Sequence, residues 1–303
     1  MASDQSPHQH EPRLNTGPQY QQGWGFTKQS PIRKYTEPAG FALYPYIAGL
    51  TVMNDPIAIA VQHHSSFTSK PWSRLLSTID AAILITFGSA SESQAVAERL
   101  WSFHNTVAGT HPDVQHYSAN DASLQTWVLA CVFKGAEESS RRWAQPLDDI
   151  ARAGLYQDIK EFGQMFGIHP SIMPATIEEL DNYWESMIEH GHLLQTDASR
   201  TMAQTVFRFS SPRFPKTLAR IGQAVSITSL DPRLQEQAGL YPTKRDQQLA
   251  RVIDVSMRQT YSRIPRRLRT QALPWSYVTV RRQVAPMVRK FSARTARSSS
   301  KAT

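Results

Sequence analysis

The strongest constraint on the fold is an apolar stripe at helical spacing in residues 72–87. Leu75, Ile79 and Ile83 recur every four residues and would lie on one face of an α-helix. Gly88 follows the stripe, at the position where a glycine commonly ends a helix. The segment therefore predicts one long amphipathic helix.

Capping residues mark further helix starts. Ser89 stands three residues before Glu92, the spacing of a capping box, and predicts a helix that runs to Gly109. Thr176 precedes Glu179 in the same way. Sustained alternation of apolar and polar residues, which would indicate strands, is rare in the chain. We therefore predict an all-α protein with about ten helices.

The two ends of the chain differ from this helical body. Residues 1–37 are rich in Gln, Pro, Ser and His and are predicted to form a disordered arm, and residues 291–303 a basic disordered tail. The single helical domain is expected over residues 38–290. Residues 241–303 hold 15 Lys and Arg against 2 Asp and Glu, whereas residues 1–240 hold 18 against 23. A solvated helix face and a tail account for this excess more simply than a nucleic-acid site, and we expect no nucleic-acid partner.

Several common classes of protein are excluded by missing motifs. The chain has no P-loop, no dinucleotide-binding glycine motif, no HExxH and no GxSxG. Its one cysteine, Cys131, excludes a disulfide framework and a cysteine-rich metal site. The first residues do not resemble a signal peptide, and the longest apolar stretch is far shorter than the roughly 20 residues that span a bilayer. A soluble cytoplasmic protein with no transmembrane segment is expected.

His104 is the most informative of the ten histidines. It falls at the edge of the apolar stripe of the helix predicted to start at Ser89. A histidine in such a place is most often a hydrogen-bonded core residue, but an imidazole in a helical pocket is also a standard ligand of haem iron. The position alone leaves both interpretations open.

An ordered series of short runs carries a family resemblance. The runs are NDPIAIAV (54–61), HSSF (64–67), PWSRL (71–75), TFG (86–88), RL (99–100) with His104, YSA (117–119), WV (127–128) and LYP (240–242). In order and spacing, the series resembles the MpaB and rubber-oxygenase (latex-clearing protein) catalytic-domain family. The chain is similar to the short, soluble, fungal-type members.

The resemblance implies a globin-reminiscent helical domain with haem b, an oxidoreductase that uses dioxygen to oxidise a hydrophobic small molecule. The implied substrate is an intermediate of fungal secondary-metabolite biosynthesis. His104 is implied as the metal ligand and a catalytic residue, and Thr106 would also face the haem. His64 and Arg99 are implied as cofactor-binding residues, and Arg74 as a second catalytic residue near the pocket. A guanidinium group suits haem propionates because it binds carboxylates bidentately, although Arg99 is also explained as a solvent-facing residue.

One position departs from the family pattern. Many bacterial relatives have histidine in a Trp-Val-His-Ala run, and here the third residue of that run is Leu129. A haem would then need His104 or another histidine. The alternatives are a haem-free enzyme on the same fold, such as a cyclase, dehydratase or isomerase, and a non-catalytic binding protein.

Overall fold

The computed structural model describes residues 17, 25–36, 38–64, 71–190, 193–208 and 216–269. The predicted basic tail and most of the predicted arm lie outside these residues. The helices, in chain order, are α1 (Pro31–Tyr35), α2 (Tyr44–Thr51), α3 (Asp55–His64), α4 (Pro71–Phe87), α5 (Ala90–His104), α6 (Ala122–Trp143), α7 (Asp149–Met165), α8 (Ile177–Glu189), α9 (Asp197–Phe207), α10 (Lys216–Ser229), α11 (Pro232–Ala238), α12 (Lys244–Thr260) and α13 (Arg266–Arg269). Short 3-10 helices occupy Pro38–Leu43 and Tyr261–Arg263.

Helices account for more than half of the chain, so the all-α prediction is confirmed. The central element is α6, which packs against α2, α7 and α12. Its Trp127 and Phe133 are completely buried, and each such aromatic side chain contributes about 1.5–3 kcal/mol through burial. Within the described ranges, every helix is too short or too polar to cross a bilayer.

A small β-hairpin interrupts the helices where a continuous helix and a polar connection were expected. The helix that begins at the Ser89 capping box ends at His104 rather than at Gly109. Strands β1 (Ala108–His111) and β2 (Gln115–Ser118) then pair in antiparallel register. A Cβ atom at Gly109 would lie 2.6 Å from the Tyr117 hydroxyl, so only glycine lets the two strands close over that side chain.

The packed structure begins before residue 38, inside the segment predicted as a flexible arm. Phe26 and Ile32 are each only 5% exposed, and the Ile32 amide donates a 2.7 Å hydrogen bond to Asp158 Oδ2 on α7. Arg33 donates from Nε to Thr86 O and from Nη2 to Gly88 O, at 2.6 and 2.8 Å. The Arg33 guanidinium thus supplies hydrogen-bond donors to carbonyl groups at the C-terminal end of α4. The same bonds fix α1 against the core.

A single carboxylate joins α3 to the start of α9. Asp55 Oδ1 accepts hydrogen bonds from the Thr196 amide and hydroxyl, each 2.8 Å, and from the Ser199 hydroxyl, 2.6 Å. Its Oδ2 accepts from the Gln195 amide at 3.3 Å. Asp55 is the first residue of α3, and it also organises the N-terminus of α9, about 140 residues further along the chain.

Candidate functional site

The predicted cofactor residues around α5 do not converge on an enclosed space. Arg99 and Thr106 are exposed, and the Thr106 hydroxyl donates a 2.7 Å hydrogen bond to Phe103 O. His104, in the last turn of α5, is half-buried, and its Nδ1 atom is shielded from solvent. Of these three side chains, only His104 points a nitrogen towards the interior.

His64 belongs to a different cluster, at the end of α3. Its Nε2 lies 3.0 Å from the hydroxyl of the buried Tyr117, and Nδ1 of His63 lies 3.2 Å from the same hydroxyl. The ring of His111 on β1 is 5.7 Å from that of His63. In the described part of the chain, no group of three or more His, Cys, Asp or Glu side chains has a geometry that would hold a metal ion. Arg74 lies on α4, but its side chain is outside the described residues.

Leu129, at the position where the sequence resemblance implies a histidine, is part of the core. It is 5% exposed and packs where α6 meets α7. A Cβ atom at Gly163 on α7 would lie 2.9 Å from Leu129 Cδ1 and 2.9 Å from Met173 Sδ, so the two helices leave no spare volume beside Leu129. Leucine also offers no donor atom to iron.

The described side chains therefore do not fit a haem. The residue on α6 is an apolar side chain packed against α7. Three of the predicted haem-contacting side chains, His64, Arg99 and Thr106, face solvent. A b-type haem needs an apolar slot with an axial donor, and among the described residues only His104 approaches that requirement.

A large cleft lies elsewhere, between α2, α6, α8, α10, α11 and the start of α12. Its volume is about 620 Å3, which is within the range typical of ligand pockets. Its walls mix apolar and polar residues. They are Tyr46, Leu50, Lys134, Arg141, Trp184, Thr228, Ser229, Leu230, Asp231, Pro232, Leu234, Gln235, Pro242 and Gln247.

Tyr46 gives this cleft its most distinctive polar group. Its side chain is only 7% exposed, yet it lines the cleft, and its hydroxyl makes no hydrogen bond in the described part of the chain. Burial, reinforced by the negative charge of Glu138, raises the pKa of the Tyr46 hydroxyl well above its usual range. The hydroxyl therefore keeps its proton and is available as a hydrogen-bond donor.

Two cations lie on the walls, and carboxylates of α8 and α6 hold them in place. Lys134 Nζ lies 2.8 Å from Asp181 Oδ1 and 5.6 Å from the centroid of the Trp184 ring. Arg141 donates from Nε and Nη2 to the two oxygens of Glu138 at 2.8 and 2.7 Å, and its Nη1 makes no hydrogen bond in the described part of the chain. Burial opposes ionisation of Glu138, but hydrogen bonds from the neighbouring arginines keep its pKa below the usual value.

The apolar wall is rigid. Trp184 stacks on Trp127 with ring centroids 5.0 Å apart and an interplanar angle of 16°. The indole Nε1 of Trp127 donates a 3.2 Å hydrogen bond to Leu50 O. Because the stack fixes one face of the Trp184 ring, the cleft presents a preorganised aromatic surface beside the Tyr46 hydroxyl.

Sequence reasoning missed this cleft because its residues are ordinary when seen one at a time. Tyr46 lies in a uniformly apolar run, and Lys134 and Arg141 are charged residues on the helix that follows Trp127. The one available signal was the spacing of Lys134, Glu138 and Arg141 on a single face of α6.

Comparisons with known proteins agree with the fold. The family model for the ER-bound oxygenase mpaB/B' and rubber oxygenase catalytic domain matches residues 33–260. The chain therefore belongs to this family of oxygenase catalytic domains.

The relatives are distant. Uncharacterised proteins of Mycobacterium bovis and of Mycobacterium tuberculosis are each 27% identical to the chain over 128 residues, which is 42% of this chain and 49% of each relative. The chain thus spans about half the length of the curated relatives it matches. No solved structure matches it.

Proposed function

We propose that this protein is an oxygenase-type enzyme for a hydrophobic small molecule, and that the substrate binds in the cleft lined by Tyr46, Lys134 and Trp184. Membership of the oxygenase family supports the type of reaction, with dioxygen as the second substrate. The main support for this location is the buried, protonated hydroxyl of Tyr46, which has no hydrogen-bond partner among the described residues and lies in a cleft of about 620 Å3. Only the sequence resemblance supports an intermediate of fungal secondary-metabolite biosynthesis as the substrate.

The chemistry of the cleft restricts the substrate further. Trp184, Leu50 and the other apolar side chains suit a flat or branched hydrocarbon body. Tyr46 and Arg141 supply hydrogen-bond donors, so one end of the substrate carries an oxygen that accepts them, such as a carbonyl or a carboxylate. The donors orient the molecule, and the apolar walls exclude water from its body.

We further propose that the reaction does not depend on a histidine-ligated haem. The support is the packing of Leu129 against Gly163, together with the exposure of His64, Arg99 and Thr106. Among the described residues, His104 is the candidate iron ligand for the haem-dependent form of the hypothesis.

Tyr46→Phe should weaken binding of 2-naphthoate about two- to tenfold, because one hydrogen bond in a partly buried site is lost. Binding of 2-methylnaphthalene, which has no acceptor oxygen, should not change. Titration calorimetry measures both affinities. Tyr156→Phe is the matched control, since its hydroxyl donates to Pro174 O outside the cleft. Failure of the unmodified protein to bind 2-naphthoate at millimolar concentration, or an equal loss in the control, would contradict the proposed substrate site.

The pyridine-haemochrome spectrum of protein expressed with iron and a haem precursor tests the second proposal. We expect well under one equivalent of haem, and no difference between the unmodified protein and His104→Ala. About one equivalent of haem that is lost in His104→Ala would overturn the haem-free proposal and identify His104 as the ligand. The cleft assignment does not depend on this result, because its test measures ligand binding alone.

A further inference from the structure

The outward side of α12 has an unusual distribution of charge. Lys244, Arg245 and Arg251 are all exposed, and none of them pairs with a carboxylate within the described ranges. This outward side, defined by these cations together with Val252 and Val255, is called the basic face below. The basic face belongs to the described part, residues 241–269, of the basic C-terminal segment.

Both acidic residues of α12 point away from the basic face. Asp246 is 4% exposed and pairs with Arg220 at 2.7 Å, besides closing the capping box with Thr243. Asp254 accepts hydrogen bonds from Arg142 and from Trp143 Nε1 at 2.8 and 2.9 Å. Because these two carboxylates pair with Arg220 and Arg142, they do not neutralise the cations of the basic face, which therefore keeps a positive electrostatic potential.

Apolar side chains are interspersed with these cations. Val252 is 60% exposed and Val255 is 48% exposed, one helical turn apart. Ile264 and Leu268, which follow α12, are 42% and 50% exposed. A shallow groove of about 310 Å3 runs beside Val255 and Arg251 and is also lined by Arg142 and Arg258. The face therefore offers both aliphatic groups and guanidinium groups to one partner.

We propose that the basic face of α12 docks on an anionic lipid bilayer, with the arginines at the headgroup phosphates and the valines at the acyl boundary. A helix that carries cations and aliphatic side chains on the same exposed side is suited to the plane of a membrane interface. Each cation near an anionic surface adds to the attraction, and the attraction falls within a Debye length.

A bilayer fits this face better than a nucleic acid does. Nucleic-acid sites use cations for the phosphates and aromatic or polar side chains for the bases. The exposed apolar side chains of α12 are aliphatic valines, which have no such role on a regular duplex. Docking on lipid gives them an apolar environment.

Cosedimentation of the full chain with vesicles tests the proposal. Vesicles of 70% phosphatidylcholine and 30% phosphatidylserine should bind the protein, vesicles of phosphatidylcholine alone should bind it weakly, and salt should release it. The variant Arg245→Gln/Arg251→Gln should bind the anionic vesicles about thirtyfold more weakly, from the usual contribution of each cation near such a surface. Val252→Asp/Val255→Asp should weaken binding at least as much.

Matched control variants distinguish binding through the basic face from the effect of net charge and from nonspecific hydrophobic adsorption. Lys28→Gln/Lys160→Gln removes the same charge elsewhere, and Ile150→Asp places a carboxylate at an apolar residue that is 86% exposed on α7. Both should retain binding within about twofold. The proposal is overturned if the controls lose as much as the α12 variants, or if only Arg294→Gln/Arg297→Gln in the tail reduces binding. It is likewise overturned if duplex DNA binds more tightly than the anionic vesicles and the valine variant leaves DNA binding unchanged.

Discussion

Arg142→Ala is expected to lower the free energy of unfolding by about 2–4 kcal/mol, because it removes a buried cation and leaves the partly buried Asp254 carboxylate without its arginine. The side chain is only 5% exposed and makes three hydrogen bonds. It donates from Nε to Glu138 at 2.7 Å, from Nη1 to Asp254 at 2.8 Å and from Nη2 to Thr228 at 2.9 Å. It thus ties α6 to α10 and α12 behind the wall of the cleft. Urea unfolding followed by circular dichroism measures the change.

Arg141→Ala is the control for this substitution. It removes a neighbouring arginine of the same helix that shares the Glu138 partner, but its side chain is 58% exposed. Exposed ion pairs contribute about 0–1 kcal/mol, so the control should lose far less stability. Equal losses in the two variants would show that burial of Arg142 does not determine its contribution.

Asp55→Ala should cost about 3 kcal/mol in the free energy of unfolding, since several buried donors lose a charged acceptor at once. The donors are the Thr196 amide and hydroxyl and the Ser199 hydroxyl, with the Gln195 amide at the other carboxylate oxygen. Hydrogen exchange at the first turn of α9 should accelerate in parallel with the global loss. Urea unfolding and exchange measured by mass spectrometry report the two effects.

Two further variants test the reason for this loss. Asp55→Asn keeps an acceptor oxygen and should lose only about half as much stability. Asp197→Ala removes a carboxylate that is 99% exposed at the same helix start, and its cost should be within about 0.5 kcal/mol of zero. A full loss in Asp55→Asn would mean that charge, rather than donor satisfaction, dominates at this position.

The features predicted best from the sequence are those that depend on neighbours in the chain. The Ser89 capping box forms, Thr176 accepts from the Glu179 amide at 3.2 Å, and α4 ends at Phe87, directly before Gly88. Each of these depends on residues within four positions, so a short window of sequence contains the whole interaction.

The features that were missed depend on distant partners. Nothing near Asp55 in the chain indicates that its carboxylate organises Thr196, and nothing near Ile32 indicates the hydrogen bond to Asp158. The hairpin escaped prediction because its strands have four residues each and are mostly polar, which is too short for an alternation pattern. The cleft was missed for the same reason as the Asp55 contacts, because residues from six helices that are far apart in the chain form it.

The site residues implied by the resemblance stay predictions, and the structure supports some of them better than others. His104 has an inward nitrogen, whereas Arg99 and Thr106 are exposed and the Arg74 side chain lies outside the described residues. The family match over residues 33–260 confirms the resemblance, whereas the site residues that the resemblance implies stay predictions.

The hydroxyl of Tyr117 has a consequence for the two histidines that share it. A phenol carries one hydrogen, so with neutral rings it donates to one imidazole and accepts from the other. If it donates to Nδ1 of His63, both rings carry their hydrogen on Nε2, and if it donates to Nε2 of His64, both carry it on Nδ1. While both rings are neutral and both hydrogen bonds are kept, the adjacent imidazoles therefore adopt the same tautomer, and exchange between the two forms moves both protons together.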